Sequence, residues 1–411
     1  MLWFVFHVVS WFNPKVKRGI DGRKKLFENL ELQLSLFLKE RKRILIHSSS
    51  LGEFEQAKPI IAELKKKFPN VIIVASFFSP SGFENAKLDG VVDVKTYLPF
   101  DSVFKAKKFI EIVQPQLVMF MSYDLWSNHI WQMRKRNIPI VVANVRLRMN
   151  SFFKRIYYRM MLNEVQYIFA VSEIESEKIR SLNISKPHIE TIGETRFDQV
   201  WKRAEESKQK QLLSTNILEG KKVFIIGSSW EEDERVLIPA VTRLSSQEEN
   251  LLTIFVPHEP SETTLQCIES QLQHSTIRFS QVEQYNNEKI IMVDSVGVLF
   301  SLYQYAHVAF VGGSFKQNVH NVLEPAMFGI PILIGPYFEN SPEAIELKTL
   351  QGIFSVSNET EMFDELTKFF TDEKLRRQHG NIAKQFVENH CGATEKVVKF
   401  IATILNTKSK I

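Results

Sequence analysis

The run RILIHSSSLGEFEQAKPIIAELKKKFPNVIIVASFF, residues 43–78, decides the fold. RILIHS (43–48) is a short apolar run that reads as a buried strand. Phe54, Ala57, Ile60, Ile61, Leu64 and Phe68 then recur at helical spacing, with Pro59 early enough to be tolerated or to kink the helix. VIIVASFF resumes the strand pattern. Strands that are apolar throughout, rather than on alternate residues, are buried on both faces, so strand–helix–strand text of this kind predicts a parallel sheet between helical layers.

Working outward, QLVMFMSY, IPIVVANV and VQYIFAVS repeat the strand signal, and the pattern stops near Gln199. KRAEESKQKQLLSTNILEGKK is polar and strandless and reads as a hinge. The alternation restarts with KKVFIIGSS, LLTIFVPH, KIIMVDS, HVAFVGGS, IPILIGPY and GIFSVS. The expected architecture is α/β, with two Rossmann-like, doubly wound domains at residues 26–200 and 221–411 and a linker at 201–220. The last helix is free to return to the first domain.

Composition agrees with a globular chain. Of 411 residues, 44% are hydrophobic and 24% charged, and Gly 16 with Pro 15 excludes a collagenous or linker-dominated protein. A net charge of +5 is too small to imply nucleic acid. Two cysteines, Cys267 and Cys391, supply no disulfide framework and point to a reducing compartment. The excess is in phenylalanine, 32 against 9 tyrosines, so many rings must be buried or face something other than water.

Residues 1–25 form a separate segment. MLWFVFHVVSWF is apolar but shorter than the roughly 20 residues a span needs. Lys15, Lys17, Arg18, Arg23, Lys24 and Lys25 follow it against one acid, Asp21. Apolar, Trp-containing text ahead of a cationic stretch suits a membrane-associating segment at the cytoplasmic face of a membrane. A helix packed on the body, or a longer span cut short by a late start codon, would read the same way. RLRMNSFFKRIYYRMM (146–161) reads as an amphipathic helix or as a basic, aromatic lip meeting an anionic lipid.

Ligands of such sheets bind beyond the carboxyl ends of the strands. After the first strand, Glu53 opens a helix, either as a cap favoured by the helix dipole or as a general base. DLWSN puts Asp124, Trp126 and Asn128 on the same rim. In the second domain, Gly227, Ser228 and Ser229 end one strand. Gly312, Gly313 and Ser314 end another, ahead of a helix expected to begin near His320; such turns let backbone N–H groups approach a phosphate. Glu324 is placed to reach a ribose. His258, His307 and His320 lack ligand spacing, so no metal is expected.

The segments HSSSLGEFEQAKPII, FFSPSGFENAK, YLPFD, DLWSN, GETRFD, GSSWEEDE, VPHEP, VDSVGVLFSLYQYAHVAFVGGS and HNVLEPAMFGIPILIGP, taken in order, resemble the 3-deoxy-D-manno-octulosonic acid (Kdo) transferases of lipopolysaccharide synthesis, in the version seen in Bacteroidetes-like bacteria. The resemblance runs from about Pro14 to about Gly352. It implies a GT-B glycosyltransferase whose two domains face a cleft, the first binding the acceptor and the second the donor CMP-Kdo. It implies a lipid A precursor as acceptor, the inner membrane as location, and no further cofactor, metal or nucleic acid. Glu53 matches the family's proposed base, with Asp124 beside it. Ser50, Gly52, Trp126 and Arg146 fall on the acceptor side. Ser228, Ser229, His258, Gly312, Gly313, Ser314, His320, Asn321 and Glu324 fall on the nucleotide side.

The chain departs from the commoner family pattern in three places. Ser122 and Asp124 stand where many members carry two glutamates. Pro257-His258-Glu259 replaces Pro-Arg-His, removing a phosphate-binding arginine. Lys316-Gln317-Asn318-Val319 replaces a glycine-richer loop. These departures keep two alternatives open: another GT-B transferase using a UDP-sugar or a different CMP-sugar, and an inactive membrane-bound scaffold that still binds nucleotide.

Overall fold

The computed structural model describes residues 12–88, 90–147, 149 and 151–407. The chain divides into two compact units, residues 1–199 with 391–411, and residues 200–390. Residues 1–11, the apolar part of the expected membrane-associating segment, lie outside the described residues.

The first unit holds β1 (Arg43–Ser48), β2 (Ile72–Phe77), β3 (Val94–Tyr97), β4 (Leu117–Met121), β5 (Ile140–Val145), β6 (Tyr167–Ala170) and β7 (His188–Thr191). They form one parallel sheet in the order β3-β2-β1-β4-β5-β6-β7. The order reverses direction between β1 and β4, leaving a fork where their connections leave on opposite sides. Both faces are dry. Leu45, Val74, Val118, Phe120 and Val142 pack with Leu30, Phe109, Ile130 and Met161 on one side. Ile44, Ile46, Ile73, Met119 and Val141 pack on the other, with Phe54, Ile60 and Ile61 of the helix Leu51–Lys67. That helix runs unbroken through Pro59, which is buried within it.

The second unit repeats the plan with β8 (Lys222–Ser229), β9 (Leu251–Pro257), β10 (Thr276–Arg278), β11 (Ile290–Met292), β12 (Val308–Val311), β13 (Ile332–Ile334) and β14 (Ile353–Ser355). The parallel order is β10-β11-β9-β8-β12-β13-β14, with its fork between β8 and β12.

One boundary differs from the sequence expectation. Residues 201–220 are not a linker. The helix Thr195–Ser207 runs on from the first unit, and Leu213 and Ile217 insert into the second unit's core. The Leu212 N–H donates to Tyr305 Oη at 2.9 Å. A few apolar residues anchor a stretch that is otherwise mostly exposed, and sequence polarity hides such sparse anchors. The last helix makes the return to the first unit that the sequence left open. Spanning Ala393–Thr407, it lays Val397, Ile401 and Leu405 on the first sheet.

Asp198 pins that return, accepting the backbone N–H of Gly392 at 2.5 Å and of Thr394 at 2.7 Å. Asp198→Ala leaves both donors without their carboxylate, so it is expected to lower stability by about 2 kcal/mol. Urea unfolding should show a lower midpoint at unchanged slope; an unmoved midpoint removes Asp198 as the clasp.

Candidate functional site

At the fork of the first sheet, the chain leaves β1 through Ser49 and Ser50 into the helix Leu51–Lys67, for which Ser50 is the N-cap. The Glu53 N–H donates to Ser50 Oγ at 3.4 Å, and the Ser49 N–H donates to Glu53 Oε2 at 2.5 Å. Glu53 therefore does cap the turn, as one sequence reading held. Its carboxyl is nonetheless poorly solvated. Burial raises its pKa to about 7, the Asp124 charge adds to the rise, and the Ser49 hydrogen bond opposes it.

Asp124 leaves β4 on the other branch of the fork. Burial acts to raise its pKa, but His47, Ser49 and Trp126 outweigh that and hold it below the ordinary carboxylate range. Trp126 Nε1 donates to Asp124 Oδ2 at 3.1 Å, and His47 Nε2 stands 3.6 Å from the same oxygen. His47 is buried, with Nδ1 against Ser76 Oγ at 2.9 Å. Two adjacent carboxyls thus have pKa values pushed apart: Asp124 stays ionised while Glu53 exchanges its proton near neutrality. His47 opens the segment HSSSLGEFEQAKPII but lies at the end of an apolar strand, and nothing in the sequence singles it out for a role at the site.

The remaining first-unit residues lie on the same rim. Gly52 is exposed, and an added Cβ there would meet nothing within 4 Å, so nothing in the fold itself requires a glycine. Trp126 stacks against Phe78 at 4.6 Å between centroids. Arg146 follows β5 and pairs with Glu194 at 3.3 Å.

In the second unit the GGS turn differs from its sequence reading. The helix expected near His320 begins at Leu323 and runs only to Met327, too short for its dipole to stand behind Gly312, Gly313 and Ser314. Their polar groups are already engaged. Asp233 Oδ2 accepts the Gly313 N–H at 2.7 Å, and Oδ1 accepts the Phe315 N–H at 3.0 Å. Ser314 is fully buried and its Oγ accepts the Gly335 N–H at 2.6 Å. Ser229 is likewise buried, donating to Glu234 Oε1 at 2.9 Å. The glycine at 312 serves close packing, because a Cβ there would lie 2.2 Å from the Ser228 carbonyl oxygen. Ser228 itself has φ +56, a strained turn at the end of β8.

Three rings stack where β8, β9 and β12 end. His258 lies 4.3 Å from Trp230 and 4.7 Å from His320, and Trp230 Nε1 donates to His320 Nε2 at 2.9 Å. That bond needs a lone pair on Nε2, hence a neutral His320. Burial, then His258, lowers its pKa accordingly. Lys316 Nζ sits 3.7 Å from the Trp230 ring centroid, putting a cation where the glycine-richer loop is replaced. Glu324 pairs with Arg203 at 3.2 Å and accepts from Asn321 Nδ2 at 3.3 Å. Trp230 and Asp233 escaped the sequence reading because GSSWEEDE reads as an acidic helix start, and Arg203 because it lies in the polar stretch that reads as a hinge. Among the described residues, no group of three or more His, Cys, Asp or Glu side chains is placed to hold a metal ion, and no helix is long and apolar enough to cross a membrane.

The family model described as 3-deoxy-D-manno-octulosonic-acid transferase (kdotransferase) matches residues 24–199. A 3-deoxy-D-manno-octulosonic acid transferase of Haemophilus influenzae is 28% identical over 372 residues, covering 88% of this chain and 87% of its own length. One from Chlamydophila psittaci is 27% identical over 350 residues, covering 80% and 78%. Among solved structures, the UDP-GlcNAc 2-epimerase of Neisseria meningitidis superposes with TM-score 0.61 at 15% identity, over 89% of this chain and all of its own. A glycosyltransferase from Rickettsia africae gives 0.55 at 13%, over 89% and 99%. At such identities the structural likenesses show the fold alone.

The raised pKa of Glu53 carries a stability signature. Its folded value of about 7 exceeds the ordinary 4.5, so its contribution is complete below 4.5 and is lost as pH climbs through 7. Glu53→Gln keeps the acceptor oxygen for Ser49 and never ionises. The variant and the parent should melt alike near pH 4, and the variant should melt higher at pH 8. Equal melting at both pH values would show that Glu53 is not held protonated by burial.

Proposed function

The chain belongs to the Kdo transferase family of glycosyltransferases, with the GT-B fold, and from that premise we propose that it moves Kdo from CMP-Kdo to a lipid A precursor with Glu53 as general base. The observation that carries the mechanism is the pair at the first fork, a Glu53 poised near neutrality beside a permanently ionised Asp124.

The acceptor hydroxyl gives its proton to Glu53 as its oxygen bonds the anomeric carbon. The anomeric C–O bond to CMP breaks, its electron pair leaving on the phosphate, through an oxocarbenium-like state. Asp124 stays charged through the cycle, keeps the Glu53 pKa high and orients Trp126. Its negative charge also suits the developing cation. On the donor side, the Trp230, His258 and His320 stack offers a flat face for a base, and Lys316 offers positive charge for the phosphate. Lys316 and His258 take over from the arginine that is absent. Glu324 reaches the ribose by exchanging its Arg203 partner.

The reading places the protein at the cytoplasmic face of the inner membrane. Phe152 and Phe153 are 72% and 82% exposed at the start of the helix Phe152–Leu162, beside Lys154 and Arg155, which supports a lipid-facing surface. Deleting residues 1–13 is expected to leave CMP affinity intact and to weaken binding to anionic liposomes, more so at high salt. Loss of nucleotide binding would make that segment part of the core.

Mass spectrometry of lipid A precursor incubated with CMP-Kdo and the protein tests the reaction and counts the sugars added. Turnover of a UDP-sugar instead of CMP-Kdo overturns the donor. Glu53→Gln should cut transfer by about 10²–10⁴ while sparing CMP binding, and the parent rate should fall tenfold per pH unit below about 7. Gly52→Ala should cost no stability, since its Cβ meets no protein atom, yet raise the KM for acceptor several-fold. An unchanged KM moves the acceptor away from this turn.

A further inference from the structure

Away from both forks, the first unit holds a cavity of about 310 Å³ walled by Arg23, Lys24 and Lys105 together with Ile20, Phe27 and Phe100; none of its lining residues is acidic. Lys108 Nζ adds a further cation, 4.8 Å from the Phe27 ring centroid. Lys24 has one carboxylate neighbour, Asp21 at 2.7 Å, but both side chains are largely in solvent, where such pairs are weak.

Arg23 is the fixed point. Its Nε donates to the Leu98 carbonyl at 2.8 Å, Nη1 to that of Gly19 at 2.7 Å and Nη2 to that of Phe78 at 2.7 Å. Its guanidinium carbon lies 4.8, 4.6 and 4.7 Å from the centroids of Phe78, Tyr97 and Phe100. Carbonyl dipoles and ring faces orient this cation without supplying a counter-charge. A guanidinium has five N–H donors, so these three bonds leave two. Burial brings its pKa down to about 10, and burial followed by the Arg23 charge lowers that of Lys105. Like charges converging on a partly desolvated wall are unfavourable in the free protein, and an entering anion relieves them.

The wall is also apolar, which a site for a bare hydrated ion does not need. Phe78, whose carbonyl holds Arg23, stacks on Trp126, and Trp126 is bonded to Asp124. Phe78 and Trp126 thus link the anchoring of Arg23 to the Asp124 branch of the first fork, although neither lines the cavity.

We propose that this cavity binds a phosphate monoester carried by an amphipathic lipid, with Arg23, Lys24 and Lys105 on the phosphate and Phe27 and Phe100 against the apolar body. The proposal rests on the acceptor reading above only for the identity of that lipid as the acceptor.

Binding to the full chain without donor keeps the two apart. The probes are dioctanoyl phosphatidic acid below its micelle concentration, inorganic phosphate, and dioctanoylglycerol. Phosphatidic acid should bind at least about tenfold more tightly than inorganic phosphate, and dioctanoylglycerol should not bind measurably. The double variant Lys24→Gln, Lys105→Gln, which leaves the Arg23 hydrogen bonds in place, should weaken phosphatidic acid by about tenfold at an unchanged melting temperature. Equal affinity for phosphatidic acid and inorganic phosphate would make this a free-anion site and overturn the lipid. Binding that ignores the double substitution overturns the cavity. Neither result depends on sugar transfer, so a failed transfer assay with intact probe binding would count against the proposed reaction alone.

Discussion

Burying a parallel sheet on both faces leaves only the strand ends for polar chemistry. In each unit the central strands are mostly apolar on both sides, and helices or the returning last helix keep water from them. Polar groups inside those layers would need partners the layers do not hold. They collect instead at the carboxyl ends, and most densely at the forks between β1 and β4 and between β8 and β12, where the connections diverge and leave space.

The two forks solve different problems with the same geometry. In the first unit, two carboxyls meet with unequal support. Asp124 has donors from Trp126 and Ser49 and a nearby imidazole, so it keeps its charge despite burial. Glu53 has one backbone donor and a negative neighbour, so it does not. In the second unit, Asp233 holds the turn after β12 by two backbone N–H groups, and Gly312 lets that turn press on Ser228. The loop is thereby fixed by a protein carboxylate, and the polar surface left for a ligand is the ring stack beside it and Lys316.

Sequence departures from the commoner family pattern acquire a physical meaning here. The shorter Asp124 is bonded to Trp126 two residues on, and Ser122 adopts φ +61, bending the chain as it leaves β4. Where an arginine is missing, His258 stacks across the faces of Trp230 and His320, which are hydrogen-bonded edge to edge, and Lys316 lies over Trp230. Positive charge in that region is carried by different residues.

The sequence by itself determined the fold class, the strands other than the short β3, β7 and β10, and the positions of the turns on which the candidate site is built. The cores of runs such as RILIHS and KVFIIGSS, Ile44–Ile46 and Val223–Ile226, are apolar throughout because both of their faces are buried, and that demand is written residue by residue. Glu53 and Asp124 were legible for the same reason, since each directly follows a strand. Tertiary structure alone decided the rest. The return of Ala393–Thr407 to the first sheet and the burial of Leu213 and Ile217 depend on which unit offers an unfilled apolar surface, a property of no local segment. Asp233 lies 80 residues from Gly313, and Arg23 75 from Leu98, so neither tie has a spacing to read. The shifted pKa of Glu53 arises from desolvation and from Asp124, and both come into being only when the two branches of the fork are brought together.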